Sequence, residues 1–163
     1  MVITEEKILR ILDNVSDPEI PALSIADMGI LRGVTIADDK VIVTVTPTYS
    51  GCPAMYEIRR RIVEELKENG VEGVKIDTIL SPAWTTDWMT DEAKRKLKES
   101  GIAPPTSTST YDINDILSNK TTVPCPFCES KNTEMRAEFS ATSCKSLFYC
   151  NDCEQPYEHF KCH

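Results

Sequence analysis

The sequence predicts an α+β fold with a β-rich, metal-stapled tail. Three observations predict it. Apolar residues recur at helical spacing over 4–14 and 53–69. They alternate at strand spacing over 30–46 and 74–80. Six of the seven cysteines lie in the last 39 residues, four of them as two C-x2-C pairs. A chain of 163 residues suits one domain and a small appendage. The expected division is a small αββαβα domain at 1–101 with helices packed on a sheet, a linker at 102–123, and a compact cysteine-rich domain at 124–163.

Taken in order, the first helix is expected over Thr4–Asn14. Ile8, Ile11, Leu12 and Val15 share one face, Thr4 caps it, and Glu5 and Glu6 suit its positive first turn. Pro18 ends it by disfavouring helix in the preceding residue. A loop from Asp17 to Gly29 leads into a β-hairpin, Ile30–Ile36 and Lys40–Thr46, turning at Ala37-Asp38-Asp39. The second helix is expected over Pro53–Asn69, with Met55, Ile58, Ile62, Leu66 and Val63 as its apolar stripe and Gly70 as its stop. A third strand follows over Val74–Leu80. A short helix then begins at Asp91-Glu92, carries Lys94, Arg95, Lys96 and Lys98 toward its end, and stops at Gly101, a charge order that suits the helix dipole. Pro104-Pro105 and the Ser/Thr run at 106–110 mark the linker, which Ile113, Ile116 and Leu117 partly order.

In the tail, Cys125-Pro-Phe-Cys128 and Cys150-Asn-Asp-Cys153 are separated by 21 residues with strand character at 133–139 and 147–149. Each C-x2-C turn presents two sulfurs, and two such turns complete a tetrahedral S4 site. This is the layout of a zinc ribbon. About forty residues cannot build a sufficient core alone, so an ion is expected to hold them, and one structural zinc fits best. Iron in a rubredoxin-like site, or an iron–sulfur cluster, uses the same ligands. Disulfides are disfavoured where thiols stay reduced. Cys144, His159, Cys162 and His163 are surplus to four ligands. Cys144 reads as a small half-buried apolar residue and His159 as an ordinary strand or tail residue, while Cys162 and His163 alone do not make a second metal site.

The seventh cysteine, Cys52, precedes Pro53, and proline favours the first helical position. A thiol at or near a helix cap faces free N–H groups and the dipole, which favour thiolate. The opposing reading is a cysteine merely tolerated at a cap, and the local sequence favours neither. Asp17, Glu19 and Asp27 read first as turn and capping residues, and second as acids that orient Cys52 or help hold a hard metal. Trp84 and Trp88 read first as packing, and second as an interaction surface in a polar Thr-Thr-Asp loop.

Composition excludes several classes. The net charge of -8 opposes a duplex nucleic-acid binder. No apolar run approaches the ~18 residues of a membrane span, and the N-terminal residues lack a signal-peptide layout, so no membrane association and a cytoplasmic location are expected. A cysteine nucleophile usually pairs with a histidine base, and the two histidines both lie in the tail, so the chain is not expected to be an enzyme in its own right.

The boxes Asp17-Pro-Glu-Ile-Pro, Ser24-Ile-Ala-Asp-Met-Gly-Ile30 and Thr46-Pro-Thr-Tyr-Ser-Gly-Cys-Pro-Ala54 together resemble the SufT-like iron–sulfur assembly family. Trp84-Thr-Thr-Asp-Trp-Met89 and the cysteine-rich tail ending Tyr157-Glu-His-Phe-Lys-Cys-His163 narrow the resemblance to the PaaD-like accessory proteins of phenylacetyl-CoA epoxidation. It covers nearly the whole chain and is weakest in the linker. The resemblance implies a SufT-like domain at 1–101 and a zinc ribbon at 124–163. It implies a role in phenylacetate degradation, in assembling or maturing the epoxidase system, above all its iron–sulfur reductase. The implied partners are the epoxidase subunits and the iron–sulfur assembly machinery. The family's reactive cysteine maps onto Cys52, its acidic box onto Asp17, Glu19 and Asp27, and its ribbon ligands onto Cys125, Cys128, Cys150 and Cys153. Beside structural zinc, a transient iron–sulfur cluster is implied. The alternative is a non-catalytic structural or interaction subunit of the epoxidase complex. Two departures stand out: Met28 where leucine is usual, and Glu129 where a glycine commonly follows the second cysteine and eases the turn.

Overall fold

A computed structural model describes residues 3–38, 40–105 and 122–161. Asp39 of the hairpin turn, most of the expected linker with Ile113, Ile116 and Leu117, and the terminal Cys162 and His163 lie outside the described residues. The chain forms two compact units, Met1–Thr90 and Asp91–His163.

In the first unit, α1 (Glu5–Leu12) is capped by Thr4, whose Oγ1 accepts from Lys7 N–H at 3.3 Å. The buried stripe is Ile8, Ile11 and Leu12. Strand β1 (Leu31–Ala37) pairs antiparallel with β2 (Lys40–Val45), and β2 pairs parallel with β3 (Val74–Thr78), so the sheet order is β1-β2-β3. Val41, Val43 and Val45 of the central strand are buried, while Ile42 and Thr44 on the other face are half-buried. Helix α2 (Ala54–Glu68) connects β2 and β3, the crossover that a parallel pair needs. Its buried stripe is Ala54, Ile58, Ile62 and Leu66. The expected stripe needs correction at two positions. Met55 is half-buried and Val63 exposed, because both point along a neighbouring ridge of the helix. Gly70, at φ +76°, ends α2, with its own N–H bonded to Lys67 O and that of Val71 to Leu66 O.

In the second unit, α3 (Asp91–Glu99) is followed by β4 (Ile102–Ala103), β5 (Thr133–Ala137), β6 (Lys145–Cys150) and β7 (Pro156–Phe160). The sheet order is β4-β7-β6-β5. Helix α3 and β4 thus group with the ribbon. Ile102 and Ala103, expected to open a linker, pair in parallel with Glu158 and His159. Val123, at the far end of that segment, is buried with Ala103, Cys125, Phe148, Cys150 and Tyr157. Its carbonyl accepts from Tyr157 Oη at 2.7 Å and from Thr133 Oγ1 at 2.8 Å. Both ends of the segment therefore belong to the ribbon's core. Strand β7 was not expected from sequence, because polar Glu158 and His159 disguise it.

Candidate functional site

The Cys52 site forms where β2 hands over to α2. Thr46, Pro47 and Thr48 are buried, and Tyr49-Ser-Gly51 turns the chain. Gly51 lies at φ +82°, a conformation that favours glycine, although a Cβ there would meet nothing within 4 Å. Cys52 N–H donates to Tyr49 O at 3.2 Å, and Cys52 O accepts from Met55 N–H at 3.2 Å. Pro53, not Cys52, is the N-cap, with helical φ and ψ and no side-chain capping bond. Cys52 thus precedes the cap by one residue. It is half-buried, and Thr48 Oγ1 points to its sulfur at 3.9 Å. The thiol stands at one end of a groove of about 1000 Å³ between α2 and β3.

The three acids are placed by backbone chemistry. Asp17 is buried, and one oxygen, Oδ1, accepts from the N–H groups of Glu19 at 2.8 Å and Ile20 at 2.9 Å. Ser24 and Asp27 form a reciprocal box: Asp27 N–H donates to Ser24 Oγ at 3.0 Å, and Ser24 N–H to Asp27 Oδ2 at 3.3 Å. The turn they open closes with a Schellman pair, Gly29 N–H to Ala26 O and Ile30 N–H to Ile25 O, each at 3.0 Å. Glu19 is half-buried in the same loop. Among the described residues, no set of three metal-ligating groups that includes Cys52 or these acids converges within 4.8 Å.

The tryptophan loop locks this turn in place. Trp84 Nε1 donates to Met28 O at 2.9 Å, and Thr90 N–H donates to Asp27 O at 3.1 Å. A Cβ on Gly29 would lie 2.6 Å from Trp88 O. Trp84 is buried, which corrects the idea that it forms an interaction surface. Trp88 is half-buried, with the Arg32 guanidinium 3.7 Å above its ring centroid. The Asp27-Met-Gly29 and Trp84–Trp88 motifs are therefore two halves of one structural joint.

The second site is a metal centre. The sulfurs of Cys125, Cys128, Cys150 and Cys153 lie within 4.8 Å of one another. Cys125–Cys153 and Cys128–Cys150 are 3.6 and 3.5 Å apart, close to the ~3.8 Å edge of a tetrahedron with Zn–S bonds of ~2.3 Å. None of the described cysteines is in a disulfide. The two turns match: Cys125 N–H donates to Ser130 O and Cys150 N–H to Gln155 O, while Glu129 and Glu154 occupy equivalent positions at φ +63° and +57°. Glu129 thus adopts the left-handed conformation a glycine would take, and Ser130 N–H still reaches the Cys128 sulfur. The N–H groups of Cys153 and Asp152 hold the Cys150 thiol down to about 7, whereas burial and its neighbouring thiols push Cys153 up to about 12. Four thiols so placed suit a divalent cation that keeps them all ionised. Asp152, unremarked in the sequence, ties the turns together, accepting from Ser130 Oγ at 2.5 Å and Asn132 Nδ2 at 2.7 Å.

Cys144 is buried, as an apolar residue would be, with Thr142 Oγ1 3.1 Å from its sulfur. His159 lies in β7 at 4% exposure, edge-on to Phe148. Its Nδ1 is 3.4 Å from Ser146 Oγ, its Nε2 has no partner among the described residues, and burial holds its pKa down to about 4.

Comparison with known proteins agrees with this division. Residues 5–80 match the family described as "Iron-sulfur cluster assembly protein", and residues 109–161 match "PaaD zinc beta ribbon domain". The chain resembles the crystal structure of a DUF59 domain from Bacillus anthracis, with TM-score 0.54 and 28% identity over 57% of this chain and 90% of that one. It also resembles a conserved hypothetical protein from Thermotoga maritima, with TM-score 0.50 and 31% identity over 58% and 94%. The class is thus an iron–sulfur cluster assembly domain joined to a cysteine-ligated β ribbon.

The relatives are more specific. An "Fe-S protein maturation auxiliary factor" of Porphyromonas gingivalis (strain ATCC BAA-308 / W83) is 45% identical over 98 residues, 58% of this chain and 90% of that protein. A protein of Escherichia coli (strain K12), named as a component of 1,2-phenylacetyl-CoA epoxidase, is 41% identical over 156 residues, 96% of this chain and 92% of that one. The chain belongs to the PaaD family. Its role is accessory to iron–sulfur assembly, and no helix among the described residues is long and apolar enough to cross a membrane.

Proposed function

We propose that this protein is a non-catalytic, cytoplasmic accessory factor that helps assemble or mature the iron–sulfur centre of the phenylacetyl-CoA epoxidase system, with the reductase as its client. Cys52 is the acting thiol. The carrying observation is its placement: half-buried against an open groove, with the Thr48 hydroxyl 3.9 Å from its sulfur and no converging ligand set around it among the described residues. Such a thiol can ligate iron of a passing cluster and release it. Asp17 and Asp27 support this site by fixing the loop that carries them. The four tail cysteines would hold a resident Zn²⁺, which supplies structure and no redox chemistry. The ribbon would dock the epoxidase subunits or the assembly machinery.

The test is Cys52→Ser in the full chain. The variant should keep one zinc per chain and native unfolding behaviour, yet fail to restore cluster content in the client reductase. Full loading of the reductase by this variant would remove Cys52 from the mechanism. Stoichiometric co-purification with the oxygenase would favour a structural component of the complex instead.

A further inference from the structure

We propose that the groove between α2 and β3 receives an extended acidic–apolar segment of a partner protein, which adds as a strand to the open edge of β3. The proposal deepens the assembly reading and rests on it, because it seats the partner beside Cys52.

The groove has two periodic walls. On α2, Met55, Tyr56, Arg59, Val63 and Lys67 follow helical spacing along a ridge separate from the buried stripe, and Cys52 lies just before the helix at the same wall. On the sheet, Val74, Ile76, Thr78 and then Leu80 follow strand spacing on the same side. Tyr56 is 81% exposed, Leu80 62% and Val63 41%, three of the five large exposed apolar side chains described in this unit. Lone exposed apolar residues are ordinary, but a line of them along one groove is not.

The edge itself is available. Strand β3 pairs with β2 on one side and with no other strand among the described residues. Gly73 O accepts from Val41 N–H, and Ile79 N–H donates to Val45 O, so these odd-numbered residues face β2. Alternation turns the N–H and C=O groups of Val74, Ile76 and Thr78 outward. Lys75 and Asp77 pair with each other at 2.8 Å on the opposite face of the sheet, and their side chains leave the groove clear. An edge of this kind is a template for an added strand of ~5 residues, whose alternate side chains would enter the groove.

Charge selects the occupant. Arg60 is held by Glu57 and Glu64. Arg59 and Lys67 make no ion pair among the described residues, so a chain of net charge -8 places uncompensated cations along one groove. Carboxylates on the incoming segment complement them. A second copy of this chain would bring the same cations against their own counterparts, which disfavours self-pairing.

The test uses the full-length protein and a fluorescein-labelled seven-residue peptide, Val-Thr-Asp-Thr-Val-Thr-Asp, whose Val and Asp side chains share one face of a strand, followed by fluorescence anisotropy at low salt. It should bind at least ~10-fold tighter than its Val/Lys counterpart, and the double variant Arg59→Glu/Lys67→Glu should abolish that preference. Two further peptides, N-methylated on the Val and Asp amides or on the Thr amides, separate strand addition from simple apolar contact. One should lose at least ~10-fold in affinity and the other less than ~2-fold, because only one alternate set of amides faces β3. Equal sensitivity of both, indifference to charge, or a dimer that the peptide dissociates would overturn the proposal. The two readings fail separately. Full client loading by Cys52→Ser with peptide binding intact removes the assembly reading and leaves the groove. Absent peptide binding with defective loading by Cys52→Ser removes the groove and leaves the assembly reading.

Discussion

Gly29→Ala probes the joint between the Asp27-Met-Gly29 turn and the tryptophan loop. Two costs arise. Gly29 sits at φ +69°, and placing a Cβ in this left-handed region costs roughly 1–2 kcal/mol. The new Cβ would also lie 2.6 Å from Trp88 O and 2.7 Å from Trp88 Cβ. The first of these is backbone, so no rotamer change relieves it, and overpacking of this kind costs roughly 1–3 kcal/mol. The sum is about 2–5 kcal/mol, a large share of a small domain's stability of roughly 5–15 kcal/mol. Gly51→Ala is the internal control. Its φ is +82°, yet nothing lies within 4 Å, so only the backbone cost of about 1–2 kcal/mol applies.

The assay is urea unfolding followed by tryptophan fluorescence. Both tryptophans of the chain lie in Met1–Thr90, so the signal reports that unit alone. Gly29→Ala should lose about 1–3 kcal/mol more than Gly51→Ala, with an unchanged urea slope. Equal losses would show that the Trp88 contact contributes nothing, and the motifs would then need another explanation.

Three more outcomes are expected. Buried His159 resists protonation until about pH 4, whereas the unfolded chain takes up that proton near 6.5; the stability of the second unit should therefore fall by up to roughly 3 kcal/mol as pH drops across that window, and His159→Leu at saturating zinc should flatten the difference. An unchanged pH slope in that variant would contradict the buried neutral ring. Chelating the metal in the intact chain should abolish amide-exchange protection in β5–β7 while β1–β3 stay protected; loss in both units alike would contradict a structural ion confined to the ribbon. Glu154→Gly, relieving a residue at φ +57°, should stabilise the holo-ribbon by about 1–2 kcal/mol, and Glu129→Gly by less, because Glu129 also pairs with Lys98 across an exposed contact; urea midpoints at saturating zinc check the order.

Periodicity made the first unit legible. Thr4 caps α1, Gly70 ends α2, and the three strands fall where alternation puts them, because local chemistry and the buried face agree at each. Legibility failed where tertiary contacts overrode the local pattern. Ile102-Ala103 looks like loop because its strand partner, β7, lies more than fifty residues away. Strand β7 itself hides behind Glu158 and His159; the former is neutralised by Lys145 at 2.7 Å, the latter is buried uncharged. Met55 and Val63 looked like core because a helix with two adjacent apolar ridges shows no sharp edge in sequence. The groove ridge was nonetheless readable: Met55, Tyr56, Arg59, Val63 and Lys67 recur at helical intervals. The four metal ligands were legible because C-x2-C spacing specifies its own geometry. Asp152 was not, because its role depends on Ser130 and Asn132 arriving from the other turn.

The distribution of soft ligands constrains what Cys52 can do. Residues 1–90 contain one cysteine and no histidine. Two of the acids that accompany it are engaged in their own loop, Asp17 Oδ1 by two backbone N–H groups and Asp27 by the Ser24 N–H and the Thr90 hydroxyl. A [2Fe–2S] or [4Fe–4S] cluster ordinarily takes four protein ligands. A cluster handled at Cys52 must therefore draw most of its ligands from another molecule. The four ribbon ligands do not relieve this, because they converge on their own site, and Cys144 is buried. Cluster handling through a single thiol is thus a shared, bridging state between this chain and a partner, and its stability depends on how closely the partner is held. A partner segment anchored along β3, as proposed, would raise the local concentration of that partner's ligands at Cys52.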